Sequence, residues 1–136
     1  MRVTLEHLHG FVTADGKKMS KSLGNVINPV EVVKTYGVDA FRYYMLRHIP
    51  SNNDGDFSWQ KFNDAYKNEL ANELGNLVQR TIAMSIKYLN GNVSHVPPSE
   101  HDTSAYLDAL SHCRFDKALD VVWEQIRSLN QYTDQH

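Results

Sequence analysis

Residues 16–25 read Gly16-Lys17-Lys18-Met19-Ser20-Lys21-Ser22-Leu23-Gly24-Asn25. Three ammonium groups and two hydroxyls fall within this stretch, which has hardly any apolar periodicity and is bracketed by glycines. Such a segment cannot bury itself, so it predicts a mobile, solvated loop. Ammonium groups that converge with hydroxyl or backbone N–H donors are suited to phosphate oxygens. The competing reading is a charged surface turn. A second pair with chemical potential is Asn76 and Arg80, which are four residues apart and so share one face of a helix. A planar amide and a guanidinium suit base edges and base stacking in unpaired RNA. The competing reading there is an ordinary surface pair at the edge of a bundle.

Other constellations carry less. His7-Leu8-His9-Gly10 has no further ligands nearby and reads as strand histidines, not a metal site. Ser51-Asn52-Asn53-Asp54-Gly55-Asp56 lacks the later oxygen ligands and closing glutamate of a calcium loop, so a plain turn is expected. The single cysteine, Cys113, excludes an intramolecular disulfide and fits a reducing cytoplasm. Seven histidines without a second thiol do not suggest structural zinc, and no metal site is expected. Acidic and basic residues nearly balance, 16 against 14, so any RNA contact must come from a local patch. No apolar run approaches membrane-spanning length and no leader-like segment is evident, so a cytoplasmic protein without membrane contact is expected.

Several elements must position these groups. Residues 3–13 are rich in β-branched and aromatic side chains and predict one or two short strands, turned by Ala14-Asp15-Gly16. Asn28-Pro29 predicts a helix start, with Asn28 as cap, and Gly37 predicts its stop after Tyr36. A second helix is expected over residues 38–48, burying Phe41, Tyr43, Tyr44 and Met45 and leaving Arg42 and Arg47 solvated. From Ser58 the period becomes helical, first with Trp59, Phe62, Ala65, Tyr66 and Leu70 on one side. Residues 68–72 are polar enough to allow a break or kink. A further helix carries Leu74, Leu77, Val78, Ile82, Ile86 and Leu89 and closes at Asn90-Gly91. A surface connector containing Pro97-Pro98 leads to a helix near 104–112 that presents Tyr106, Leu107 and Leu110. The last helix presents Ala118, Leu119, Val122, Trp123, Ile126 and Leu129. The expected fold is mainly α: a helical bundle over 58–136, preceded over 1–57 by a small α/β segment that carries the lysine loop. The uncapped helical pattern running to Gln135-His136 reads as a sequence that has been cut.

Lys18-Met19-Ser20-Lys21-Ser22 resembles, letter for letter, the KMSKS loop of class I aminoacyl-tRNA synthetases. Around it, His9-Gly10-Phe11-Val12, Val26-Ile27-Asn28-Pro29 and Tyr36-Gly37-Val38-Asp39-Ala40-Phe41-Arg42-Tyr43-Tyr44 are similar in order and spacing to methionyl-tRNA synthetases. Asp54-Gly55-Asp56-Phe57-Ser58 and Leu70-Ala71-Asn72-Glu73-Leu74-Gly75-Asn76-Leu77 continue the likeness. Leucyl-, valyl-, isoleucyl- and cysteinyl-tRNA synthetases share the lysine loop and a Gly-x-Asp-Ala step, but the Arg-Tyr-Tyr and Gly-Asp-Phe-Ser pieces look most like the methionyl family. His7-Leu8-His9-Gly10 departs from the family's ATP-binding His-x-Gly-His element in letter order and in place.

The resemblance implies a ligase that activates methionine with ATP, taken as its magnesium complex, and esterifies it to tRNA(Met). It implies that Lys21 meets the departing pyrophosphate, with Lys18 supporting it, and that Ser20 and Ser22 shape this nucleotide-contacting loop. It also implies that Asn76 and Arg80 read the CAU anticodon in an anticodon-binding domain. A stacking tryptophan of that site is expected just beyond Gln135, while Trp123 is expected in the core. The family's methionine pocket, adenine site and any zinc knuckle have no counterpart in these residues. The chain alone is therefore expected to retain no cofactor and to be inactive. Two rival readings are a stand-alone helical tRNA-binding module that kept the loop, and a helical interaction domain.

Overall fold

A computed structural model describes residues 10–95 and 102–135. The elements run β1 (Val12–Ala14), α1 (Pro29–Tyr36), α2 (Val38–His48), β2 (Gly55–Phe57) and α3 (Trp59–Ala65). A π-helical segment (Tyr66–Gly75) follows, then α4 (Asn76–Leu89), α5 (Ser104–Ser111) and α6 (Phe115–Gln135). The chain is thus mostly helical with one small parallel sheet, in which Val12 pairs with Gly55, Thr13 with Asp56 and Ala14 with Phe57. His7 and His9, the strand expected before residue 10, and Pro97-Pro98 lie outside the described residues.

Local chemistry explains the boundaries. The Asn28 side chain accepts a hydrogen bond from Val30 N at 3.1 Å, and Pro29 opens α1 where a missing N–H costs nothing. Gly37, at φ 87°, ends α1 and starts α2 in one residue, a conformation closed to most side chains. Ser58 caps α3 by accepting from Lys61 N at 3.1 Å.

The main core joins α1, α2, β2 and α3. Val32, Tyr44, Phe57 and Phe62 are fully buried, with Ala40, Ile49 and Ala65 around them. Tyr44 meets Phe57 and Phe62 edge-on at centroid distances of 5.2 and 5.3 Å, and Tyr36 meets Phe62 at 5.0 Å. The lysine loop is therefore rooted in the same apolar cluster from which the later helices set out.

The structure corrects four expectations. The acidic run is not a plain turn throughout: Gly55–Phe57 forms β2, because Gly55 N donates to Phe11 O at 2.8 Å and Phe11 N donates to Asp54 Oδ1 at 2.8 Å. Arg47 is not solvated; its side chain is 9% exposed because two carboxylates and an indole surround it. Residues 68–72 do not break the helix: they lie in a wider π-helical turn that absorbs the change of register without losing backbone bonds. The apolar stripe of α4 is not core, since no residue of α4 is buried. Farther on, Ala109, Ala118, Trp123 and Ile126 are buried, Trp123 against Tyr43 of α2 at a ring-centroid distance of 4.6 Å, whereas Leu107 and Leu129 are exposed.

Candidate functional site

The lysine loop is held by its backbone, not by its cations. Ala14 and Lys17 exchange two backbone hydrogen bonds at 2.9 and 3.1 Å across Asp15 and Gly16, which have φ of 50° and 70°. Two successive positive φ values make this a tight hairpin-type turn. Asp56, arriving on β2, clamps it. The Gly16 N–H and the Thr13 hydroxyl both donate to Asp56 Oδ1 at 2.7 Å, and Lys61 Nζ donates to Oδ2 at 3.0 Å. These donors, the Gly16 N–H foremost, hold the Asp56 carboxyl at about 2.

Beyond the turn, Asn25 staples residues 18–25 into a ring. Its Oδ1 accepts from Ser20 N at 2.8 Å and its Nδ2 donates to Lys18 O at 3.2 Å. Leu23 N donates to Ser20 O and Gly24 N to Lys21 O, and the Ser20 and Ser22 hydroxyls share a 2.8 Å hydrogen bond. Met19, half-buried, joins Ile27, Phe41, Met45 and Phe57 around an apolar cleft of about 210 Å³. Lys18 and Lys21 are left exposed, and no carboxylate among the described residues lies within ion-pair range of either. A cleft of about 410 Å³ opens beside Lys18, bordered by the exposed ring of Phe11. The arrangement is a fixed backbone with uncompensated ammonium groups, which is what a multiply charged oxyanion requires.

Asn76 and Arg80 come together as their spacing predicts, lining one cleft of about 390 Å³ with Asn72, Glu73, Arg127 and Asp134. Arg80 is already occupied: Nη1 meets Asp134 Oδ1 at 2.5 Å and Nη2 donates to Thr133 O at 2.8 Å. Sequence reasoning missed Asp134, because nothing local links it to a residue 54 positions earlier. Asn130 Nδ2 donates to Glu73 O at 3.0 Å and fixes the floor of the cleft.

Between the two sites lies a polar knot. Glu69 Oε2, on the π-helical segment, accepts from Tyr43 Oη, from Arg47 Nε at 3.2 Å and meets His48 Nε2 at 3.0 Å. Arg47 reaches on to Asp120 Oδ1 at 3.1 Å and lies 5.0 Å above the Trp123 ring. Burial opposes ionisation of Glu69, but the hydrogen bonds from His48 and Tyr43 and the nearby cations outweigh it, so its carboxyl titrates below the ordinary range. Burial, followed by the hydrogen bond to that carboxylate, pushes the Tyr43 hydroxyl far above the ordinary phenol range. The knot ties α2, which follows the lysine loop, to α6, which carries Asp134. Among the described residues no group of three or more His, Cys, Asp or Glu could hold a metal ion, and no helix is long and apolar enough to cross a membrane.

A family model described as tRNA synthetases class I (M) matches residues 3–82, and the chain belongs to this family of class I aminoacyl-tRNA synthetases. Within that class its relatives are methionine–tRNA ligases. The one from Fusobacterium nucleatum is 42% identical over 93% of this chain and 22% of its own length. The one from Campylobacter jejuni is 55% identical over 63% of this chain and 14% of its own length. A solved structure of Mycobacterium tuberculosis methionyl-tRNA synthetase in complex with methionyl-adenylate matches with a TM-score of 0.77 at 36% identity, covering 93% of this chain and 27% of that one. The chain spans about a fifth of the length of curated relatives such as the F. nucleatum ligase, at 22%.

Proposed function

We propose that this chain is the lysine-loop and anticodon-reading portion of a methionine–tRNA ligase. That enzyme would work in the cytoplasm and take methionine, magnesium-bound ATP and tRNA(Met) as substrates. In adenylate formation the methionine carboxylate attacks the α-phosphorus and pyrophosphate departs. Lys21 follows the negative charge onto the departing oxygens, and Lys18 supports it. A cation that meets those oxygens better in the transition state than in the ground state lowers the barrier. Ser20 and Ser22 keep the loop's curvature through their shared hydrogen bond. Asn76 and Arg80 read the unpaired anticodon bases from the cleft they line. Residues 1–57 supply the loop and its connecting fold, and residues 58–136 the RNA-reading helices. The chain alone neither activates methionine nor charges tRNA, because the family's amino-acid and adenine sites have no counterpart in it.

The observation that supports this reading best is the loop itself: its backbone is pinned by Asn25 and Asp56 while Lys18 and Lys21 have no counter-ion among the described residues. The test is a graft. Residues 10–89 replace the aligned segment of the F. nucleatum ligase, and ATP–pyrophosphate exchange is measured. The graft should exchange, and Lys21→Ala within it should slow exchange by about 10²–10³, the usual cost of removing one transition-state donor. An undiminished rate in that variant would overturn the assignment.

A further inference from the structure

From Trp59 to Leu89 the chain is one unbroken helix whose middle is wound wide. Ala65 and Gly75, at the two joints, keep right-handed helical dihedrals (φ −63°, ψ −46° and φ −62°, ψ −43°), so α3 passes through the π-helical Tyr66–Gly75 into α4 without a break. π-Helical winding is rare and mostly confined to single turns, so ten residues of it need something to hold them. We propose that Glu69 is a positioning residue for anticodon reading, with the role of Asn76 and Arg80 taken from the reading above. Held by Tyr43, Arg47 and His48 of α2, Glu69 keeps the turn wide, and the wide turn sets the direction in which Asn76 and Arg80 face.

Glu69 lies within the wide turn, and its Oε2 meets Tyr43 Oη, Arg47 Nε at 3.2 Å and His48 Nε2 at 3.0 Å. All three partners come from α2, so the turn is anchored to an element outside its own helix. On the other side, Asn130 Nδ2 of α6 donates to Glu73 O at 3.0 Å. At the end of the turn Gly75 leaves room: a Cβ there would lie 3.2 Å from Leu70 O, five residues earlier, which is the approach that i to i+5 winding creates. Asn76 follows at once and Arg80 one turn later, both lining the cleft with Arg127 and Asp134. Each α-helical residue advances by about 100°, so giving up one residue of extra winding would swing both side chains about 100° from that cleft. Glu69 does not line the cleft and acts on it only through the helix.

Spin-label distances in the whole chain test the link from Glu69 to the helix. In a Cys113→Ser background, Arg42→Cys on α2 is paired with Ile82→Cys or, separately, Ala83→Cys on α4, all exposed positions. The two α4 positions differ by about 100° around the axis, so in Glu69→Ala at least one distance should shift by about 5 Å. Glu69→Gln, which keeps an acceptor for Tyr43, should shift it less. Fluorescence anisotropy with CAU and scrambled stem-loops tests the link from the helix to the RNA. Glu69→Ala should lose about tenfold in preference for CAU, as Arg80→Ala does, with little change on the scrambled loop. Gly75→Ala separates aim from stability, because alanine is favoured in a helix interior while its methyl presses on Leu70 O. It should move the same distances and lose the same preference while unfolding at no lower urea concentration. Folded Glu69 variants with both distances unchanged would overturn the proposal, as would moved distances with the CAU preference intact. A wild-type chain that does not prefer CAU would instead defeat the reading of Asn76 and Arg80, and the distances, measured without RNA, would still decide whether Glu69 directs α4.

Discussion

Arg80 Nη1 lies 2.5 Å from Asp134 Oδ1, so the guanidinium proposed to read an anticodon is already paired within the chain. The pair is half-exposed, and such pairs contribute about 0–1 kcal/mol. Breaking it is thus cheap, and RNA phosphates or base edges can compete for Arg80. Asp134→Asn should raise affinity for a CAU anticodon stem-loop by about two- to fivefold. Arg80→Ala should lower it by about tenfold or more, the worth of one good base-reading contact. Fluorescence anisotropy with CAU and scrambled loops checks both. A scrambled loop should respond little to Arg80→Ala, and equal losses on the two loops would demote Arg80 to a general cation.

Asp56 gives the turn before the lysines a pH signature. Its carboxyl is depressed to about 2 by the Gly16 N–H, the Thr13 hydroxyl and Lys61. The unfolded value is near 3.9. A depressed pKa means that the unfolded chain binds the proton first. The stabilisation is complete above about pH 4 and is lost as pH falls through about 2. Asp56→Asn should flatten that part of the acid-unfolding curve, while a wild-type curve level from pH 4 to 2 would contradict the clamp. In the grafted ligase the same variant should raise the KM for ATP, since the loop would no longer be held from below.

How much of this could be read from residues alone depends on range. α1 was legible because Asn28, Pro29 and Gly37 act on their immediate neighbours. Asn76 and Arg80 were legible as a pair because a helix brings residues four apart together. β2 was not, because its parallel partner is 43 positions away and its three residues show no clear alternation. Arg47 was assigned to solvent because amphipathic reasoning puts every arginine there. Its surroundings, Glu69, Asp120 and Trp123, come from two distant elements. The α4 stripe shows the opposite failure: periodicity gave the apolar face correctly but could not say whether anything covers it.

Glu69 holds three partners from α2, and its loss should be felt in stability before anything else. Glu69→Ala leaves Arg47 largely buried with only the half-exposed Asp120 for compensation. Removing one partner of a mostly buried pair costs about 2–4 kcal/mol once residual solvent and the second carboxylate are allowed for. Urea unfolding measures this. Glu69→Gln keeps a hydrogen-bond acceptor for Tyr43 and should lose about half as much. If the two variants were equally mild, below about 0.5 kcal/mol, the knot would be a surface feature and not a joint.

The closest steric fit in the sheet offers a sharper test of the fold. A Cβ placed on Gly55 would come within 2.5 Å of Ile49 Cγ2. Ile49 is buried against the cluster that includes Tyr44 and Phe57, so its methyl has little room to retreat. Gly55→Ala should therefore destabilise by about 1–3 kcal/mol, the ordinary cost of overpacking. Ile49→Ala removes the obstructing methyl but opens a cavity, at about 2–5 kcal/mol. Because the added methyl enters the space that the deleted side chain leaves, the double variant should be less destabilised than the sum of the singles by about 1 kcal/mol or more. Strict additivity in thermal unfolding would mean that β2 does not lie against Ile49 as described, and the clamp that Asp56 applies to the lysine loop would lose its foundation.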